Sequence, residues 1–190
     1  LEIAAEVCSR NGWTLVKQPI DWDAKDMELS SGSIDCIWNG FTMNGREDQY
    51  TFTVPYVDNS QVFVVKADSG ITAPADLAGK IVGVQKDSSA LSALEGDAAD
   101  LAATFAELTQ FADYKTGFLN LDAGAVDAIA VDIGVADYQL ESRGDGFVIL
   151  DEKLATEQYG IGFKLGNTEL KDQVEATLLE MAEDGTFMEI

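Results

Sequence analysis

The chain contains no histidine, the side chain that most often serves as a general acid or base near neutral pH and the commonest metal ligand. Catalysis and metal binding both lose ground, and no cofactor or metal is expected. Positive charge is also scarce. Twelve Lys and Arg stand against 34 Asp and Glu, a formal charge of −22, and such a field repels phosphate backbones, so nucleic acid is not an expected partner. Solubility alone accounts for an acidic surface, so a cationic ligand does not follow from it. The two cysteines, Cys8 and Cys36, lie inside apolar patterns without CxxC spacing. They read as buried thiols, with a disulfide as the alternative. No apolar run approaches the roughly 20 residues that span a bilayer. Neither a GxxxxGK[ST] nor a GxGxxG loop is present, and no Ser/His/Asp or Cys/His set can be assembled.

What the chain does have is a repeat. Leu29-Ser-Ser-Gly32-Ser-Ile34-Asp35-Cys36-Ile37 returns as Leu121-Asp-Ala-Gly124-Ala-Val126-Asp127-Ala128-Ile129. Leucine packs a helix end, glycine supplies the left-handed residue that stops it, and the β-branched residues open a buried strand. Two such units in 190 residues of 46% apolar content indicate two similar α/β lobes, each large enough for a core.

The periodicities predict a helix over residues 1–10 with Leu1, Ala4, Val7 and Cys8 on one face, and a strand over 14–17. Asp23 is expected to cap a short helix, and residues 34–38 to form a buried strand. A long strand around 62–65 crosses between lobes. Beyond it the reading is strand 81–84, a helix from Asp87-Ser88-Ser89, helix 97–108, helix 116–123, strand 127–131, helix 133–141 and strand 147–150. A return strand over 159–163 follows, then a helix carrying Leu170, Val174, Leu178 and Met181 that Gly185 ends. Lobe 1 is expected to comprise residues 1–60 and 160–190, and lobe 2 residues 61–159, with hinges near Ser60-Gln61 and Gln158-Tyr159.

In open α/β sheets ligands bind beyond the carboxyl ends of strands, which singles out the residues after each repeat. Arg46, a rare cation in a turn past a predicted strand, suits a carboxylate. The helix start at Ser88-Ser89 is a second place for one. Asp132, at a strand end, suits an ammonium, or else caps the next helix. Trp22 is a candidate stacking surface. One cation, one anion and two hydroxyl-bearing loops match the α-carboxylate and α-ammonium of an amino acid.

The ordered set Asp21-Trp22-Asp23, Ile34-Asp35, Gly40-Phe41-Thr42 with Arg46, Pro55-Tyr56, Asp76-Leu77-Ala78-Gly79-Lys80, Val82-Gly83-Val84, Ser88-Ser89, Asp127 with Asp132, and Gly160-Ile161-Gly162 resembles the polar amino-acid-binding proteins of ABC importers, family 3 of the solute-binding proteins. The resemblance implies a type II periplasmic-binding-protein-like α/β fold: two lobes joined by two crossover strands, with a ligand cleft between them. It implies a stacking residue at Trp22, ammonium contacts at Gly40, Thr42 and Asp132, and carboxylate contacts at Arg46 and Ser89. Gln85 takes a side-chain-sensing position. The turn from Thr42 to Arg46 is one residue shorter than the family's. The chain starts without Met inside a helical pattern and lacks the family's first strand and final basic-aromatic tail, so trimming at both termini is expected. The implied function is capture of a free amino acid and delivery to an ABC-transporter permease by a monomer. The implied location is extracytoplasmic, in the periplasm or as a cell-surface lipoprotein. A sensor domain of a receptor or kinase, or a cyclohexadienyl dehydratase-like enzyme, are the alternatives.

Overall fold

A computed structural model describes residues 1–190. Along the chain, helix α1 (Glu2–Asn11) is closed by Gly12 in the left-handed region, and a single 3-10 turn, Trp22–Ala24, leads into α2 (Lys25–Ser31). Strands β1 (Tyr50–Phe52) and β2 (Val57–Lys66) follow. After the 3-10 turn Pro74–Leu77 come β3 (Ile81–Gln85), α3 (Ser89–Glu95), α4 (Ala99–Ala102) and β4 (Glu107–Phe111). Next are α5 (Tyr114–Ala123), β5 (Ala128–Asp132), α6 (Ile133–Arg143) and β6 (Phe147–Ile149). The chain ends with β7 (Ala155–Tyr159), β8 (Gly162–Lys164), α7 (Thr168–Glu183) and α8 (Thr186–Glu189).

Two compact units result: Leu1–Val57 with Gln158–Ile190, and Asp58–Glu157. The chain changes unit within β2 and β7.

The second unit is built on one sheet, in the order β4-β3-β5-β2-β6, with β7 also paired to β2. β3 runs parallel to β4 and β5, whereas β2 runs antiparallel to β5 and β6. Its central strands are apolar on both faces because both faces are covered. Phe63, Val65, Ala128 and Ala130 point into a core with Leu77, Leu91 and Leu94. Their alternates Val62, Val64, Ile129 and Val131 point into another with Phe118, Leu121 and Ala136.

In the first unit the sheet is small: β1 pairs antiparallel with β8, and isolated bridges join Ile37 to Gly162 and Thr42 to Tyr159. One core packs Val7, Ile161 and Phe163 against Val174, Leu178 and Met181 of α7. The other gathers Leu29, Ile37, Phe41 and Tyr50. Gly162 meets Phe41 so closely that an added Cβ would stand 2.4 Å from the ring, so the ring lies directly on backbone.

Both repeat glycines behave as expected: Gly32 (φ 79°, ψ 17°) and Gly124 (φ 75°, ψ 18°) stop α2 and α5 in the left-handed region. Other expectations need correction. Residues 14–17 form no strand. Asp23 lies inside the 3-10 turn and caps nothing; Ala24 precedes α2. Residues 34–38 make only the bridge at Ile37, since one neighbouring strand offers too few partners for a ladder. The predicted helix over 97–108 shrinks to α4, and its last residues enter β4. Leu101, Phe105 and Leu108 do pack on the core, but β4 reaches it by pairing with β3, so the helical spacing misled. The return strand breaks at Gly160-Ile161 into β7 and β8. Gly185 does stop α7 as expected, in the left-handed region (φ 86°) just after Asp184, and it also opens α8. Ala4 and Val7 are buried, whereas Leu1 is 71% exposed, and Ile3 joins the core instead. Both thiols are free. Burial pushes the Cys36 thiol up to about 12, with Asp35 and Cys8 adding to the shift.

Candidate functional site

The first unit assembles its candidates around Phe41. The segment that follows Ile37 runs beside the β7–β8 junction. The N–H of Met43 donates to the carbonyl of Gln158 at 3.0 Å, and the N–H of Gly160 donates to the carbonyl of Phe41 at 3.1 Å. Asn44 Oδ1 accepts from the N–H of Gln158 at 2.8 Å. These bonds bury Thr42 and set Gly40 in the left-handed region (φ 58°), facing the Tyr159 ring. A turn then closes from Arg46 N–H to the Met43 carbonyl at 3.0 Å, which brings the guanidinium back over its own loop. Arg46 Nη1 donates to the carbonyl of Thr42 at 3.1 Å, and its Cζ lies 5.3 Å from the centre of the Phe41 ring.

Phe41 is fully buried, with Trp22 edge-on at 5.6 Å, Tyr50 at 5.0 Å and Phe52 at 5.2 Å. Trp22 is half-buried in this aromatic set, with Lys25 Nζ 5.4 Å from its ring centre. The structure thus brings Trp22, Gly40, Thr42 and Arg46 together in one unit. The arrangement offers a planar cation braced by a carbonyl and a π face, which suits a carboxylate.

The second unit builds its candidates at the ends of β3 and β5. After β3 the chain turns through Asp87, the one non-glycine residue with positive φ (58°). Ser88 caps α3, its Oγ accepting from the N–H of Leu91 at 3.1 Å. Asp132 ends β5 opposite Gln61 of β2. Its carboxylate makes no capping bond to α6. Asp132 Oδ1 instead accepts from Asn59 Nδ2 and Gln61 Nε2, both at 2.8 Å.

The same two amides reach a carboxylate that sequence reasoning missed. Glu157 Oε1 accepts from Asn59 Nδ2 at 2.7 Å and from Gln61 Nε2 at 2.6 Å, and Glu157 Oε2 accepts from the Ser89 hydroxyl. Ser89 and Asp132 are therefore joined through Asn59, Gln61 and Glu157. Gln85 is not part of this set: its Nε2 donates to the carbonyl of Ala112 at 3.0 Å, on the β4 side. Tyr114 borders the cluster. Burial pushes its hydroxyl pKa far up, and the charges of Asp132 and Glu157 push the same way, against a smaller effect of Ser88. That hydroxyl has no partner in good hydrogen-bond geometry. A signal for the missed residues existed. Asn59, Ser60 and Gln61 are consecutive polar residues leading into an apolar strand, and all three are buried. Buried polar side chains at a strand end mark a site more often than a core.

No group of three His, Cys, Asp or Glu side chains is placed to hold a metal ion. No helix is long and apolar enough to cross a membrane.

The chain is 27% identical over 190 residues to the L-cystine-binding protein TcyJ of Escherichia coli (strain K12), covering 98% of this chain and 70% of that protein. Among solved structures, an ABC uptake transporter substrate-binding protein from Streptococcus pneumoniae with bound histidine superposes with a TM-score of 0.94 at 32% identity, over 99% of this chain and 78% of that one. An ancestral arginine-binding protein bound to arginine gives a TM-score of 0.88 at 32% identity, over 99% of this chain and 83% of that one. The fold is that of the type II periplasmic binding proteins. The sequence pattern of the bacterial extracellular solute-binding proteins, family 3, matches residues 1–190, and the chain belongs to that family.

Proposed function

We propose that this chain captures a free α-amino acid outside the cytoplasm, in the periplasm or as a cell-surface lipoprotein. It acts as a monomer and delivers the ligand to the membrane permease of an ABC importer. The observation that carries the reading is the state of Asp132. Its carboxylate sits at the carboxyl end of a central strand, is held by two amides, and is not spent on capping the helix that follows. A carboxylate so placed suits an ammonium. Arg46 supplies the complementary cation for the α-carboxylate, Thr42 and the Gly40 carbonyl add ammonium contacts, and Ser89 at the start of α3 adds a carboxylate contact. Trp22 stacks on the ligand and Gln85 senses its side chain. Each unit contributes part of the binding groups, and ligand capture closes the units about β2 and β7. Membership in a family of binding proteins supports this reading over a dehydratase.

A thermal-shift screen of the twenty amino acids plus L-cystine tests it, beginning with histidine, arginine, glutamine and cystine, the ligands of related proteins. A ligand at 100 times its dissociation constant adds about 2.7 kcal/mol, a readily measured rise in midpoint. No shift with any of them would overturn the amino-acid assignment. Small-angle scattering with the ligand found should show a more compact particle; an unchanged radius at saturation would remove hinge closure.

A further inference from the structure

We propose that Glu157 is a positioning residue, acting on the ligand through Asp132 and Ser89 without touching it. The inference rests on the amino-acid reading above. Its basis is the clamp made by Asn59 and Gln61. Each amide sends one N–H to Glu157 Oε1 and the other to Asp132 Oδ1, so both protons of both amides are spent between the two carboxylates.

Only the NH2 end of an amide can face two ionised carboxylates. The orientation of Gln61 is therefore set by charge, and its Oε1 is left buried without a hydrogen-bond partner. Gln61 is fully buried and Glu157 is 7% exposed. An orphaned buried acceptor weakens a fold, and a buried ionic cluster is often no more stabilising than apolar side chains of the same volume. Folding alone gives little reason for a second carboxylate here. Holding Asp132 in one orientation does: without Glu157 each amide would lose the acceptor of one N–H and could swing away from Asp132. The other oxygen of Glu157 takes the hydroxyl proton of Ser89. That spends the only proton of the Ser89 hydroxyl, so the carboxylate contact proposed for Ser89 falls to its backbone N–H at the start of α3. One buried carboxylate thus sets the orientation of one candidate contact residue and the hydrogen-bond polarity of another.

Glu157→Gln separates position from fold. Glutamine has the same size, but its neutral amide oxygen accepts from the two amides more weakly than a carboxylate and its NH2 faces Ser89 Oγ, so the hold on Asp132 should loosen while the denaturant midpoint stays near that of the wild type. Dissociation constants for L-arginine, L-histidine, L-cystine and L-glutamine would be measured by calorimetry on the wild type, Glu157→Gln, Asp132→Asn and the double variant. For the amino acid the wild type binds, Glu157→Gln should weaken affinity roughly tenfold, and the double variant should bind about as weakly as Asp132→Asn alone, since residues of one network do not add. Additive losses, or an unchanged affinity in Glu157→Gln, would overturn the positioning role and leave the amino-acid reading standing. A loss of affinity that merely follows a lower midpoint would also overturn it. A wild type that binds none of the four overturns the combined proposal, and the wider screen then decides whether the amino-acid reading survives. Gln61→Met removes one arm of the clamp independently and should weaken binding several-fold with the midpoint monitored alongside; affinity equal to the wild type would count against the clamp.

Discussion

The two units use the same nine-residue pattern and obtain different things from it. In both, the leucine is buried and the glycine ends a helix in the left-handed region. In the second unit, Ile129 then lies in β5 with β3 on one side and β2 on the other. In the first, Ile37 exchanges two backbone hydrogen bonds with Gly162, at 2.8 and 3.0 Å, and stops. The helix stop is local chemistry and repeats faithfully; the strand needs neighbours.

The first unit compensates with side chains. Arg10 on α1 binds Asp184 at 2.7 Å and Thr186 at 2.9 Å, and Asn11 Nδ2 donates to Thr177 at 2.8 Å. Glu175 accepts from the N–H of Val54 at 2.7 Å, and Lys164 donates to the Ser30 carbonyl at 3.0 Å. Such ties are separate and weak compared with a ladder shared by many residues.

Truncating the two equivalent isoleucines gives the most direct way to break this comparison. Ile129→Ala should cost about 3–4 kcal/mol, and Ile37→Ala about 2 kcal/mol, both within the range for buried isoleucine. Chemical denaturation of each variant reads the difference. Equal losses would show that strand neighbours on both sides add little to the packing of Ile129.

Binding sharpens the comparison by asking what each unit contributes to affinity. Asp132→Asn should cost roughly 1.5–3 kcal/mol of affinity for an α-amino acid, while stability changes by less than about 1 kcal/mol, because Asn Oδ1 can still accept from both amides. If stability falls sharply and affinity does not, the second unit's anion is structural. Arg46→Lys should cost more than about 1 kcal/mol of affinity, since a point charge cannot reproduce a fork braced on Thr42 and Phe41. Calorimetry on the same ligand decides it, and unchanged affinity would return Arg46 to a bracing role.

The smallest effect concerns the side-chain ties. Arg10, together with the bonds from Thr186, holds the Asp184 carboxyl down to about 2. A carboxyl depressed in the folded state stabilises fully above its ordinary pKa, and that contribution fades as pH falls through the folded value. Carboxyl titration by NMR should place Asp184 near 2 and show it rising in Arg10→Gln. An unmoved midpoint would mean that the tie between α1 and the segment after α7 does not form in solution.

Several residues of the candidate site are legible in the sequence. Arg46, Ser89 and Asp132 follow from one rule, that ligand groups lie past strand ends, applied after the repeat and the capped helix start. Asp132 had two readings, because a cap and a ligand carboxylate demand the same residue at the same place; the coordinates show no capping bond, and the ligand contact is a proposal. Glu157 was invisible for another reason. It is near Asp132 only because β2 pairs with both β5 and β7, and nothing in the spacing of residues 132 and 157 announces that.

The sequence by itself determined the α/β class, the helix stops at Gly32 and Gly124, the buried core of β2 and β5, and the cap at Ser88. Each depends on the residue's own backbone preference or on a few neighbours along the chain. Tertiary structure decided which extended segments became strands: β4 in place of a helix, a lone bridge at Ile37, and irregular chain at residues 14–17. It also decided that Asp132 and Glu157 share two amides. A strand's hydrogen bonds and a buried carboxylate's donors are supplied by residues distant in the chain, so neither can be settled by the segment that contains them.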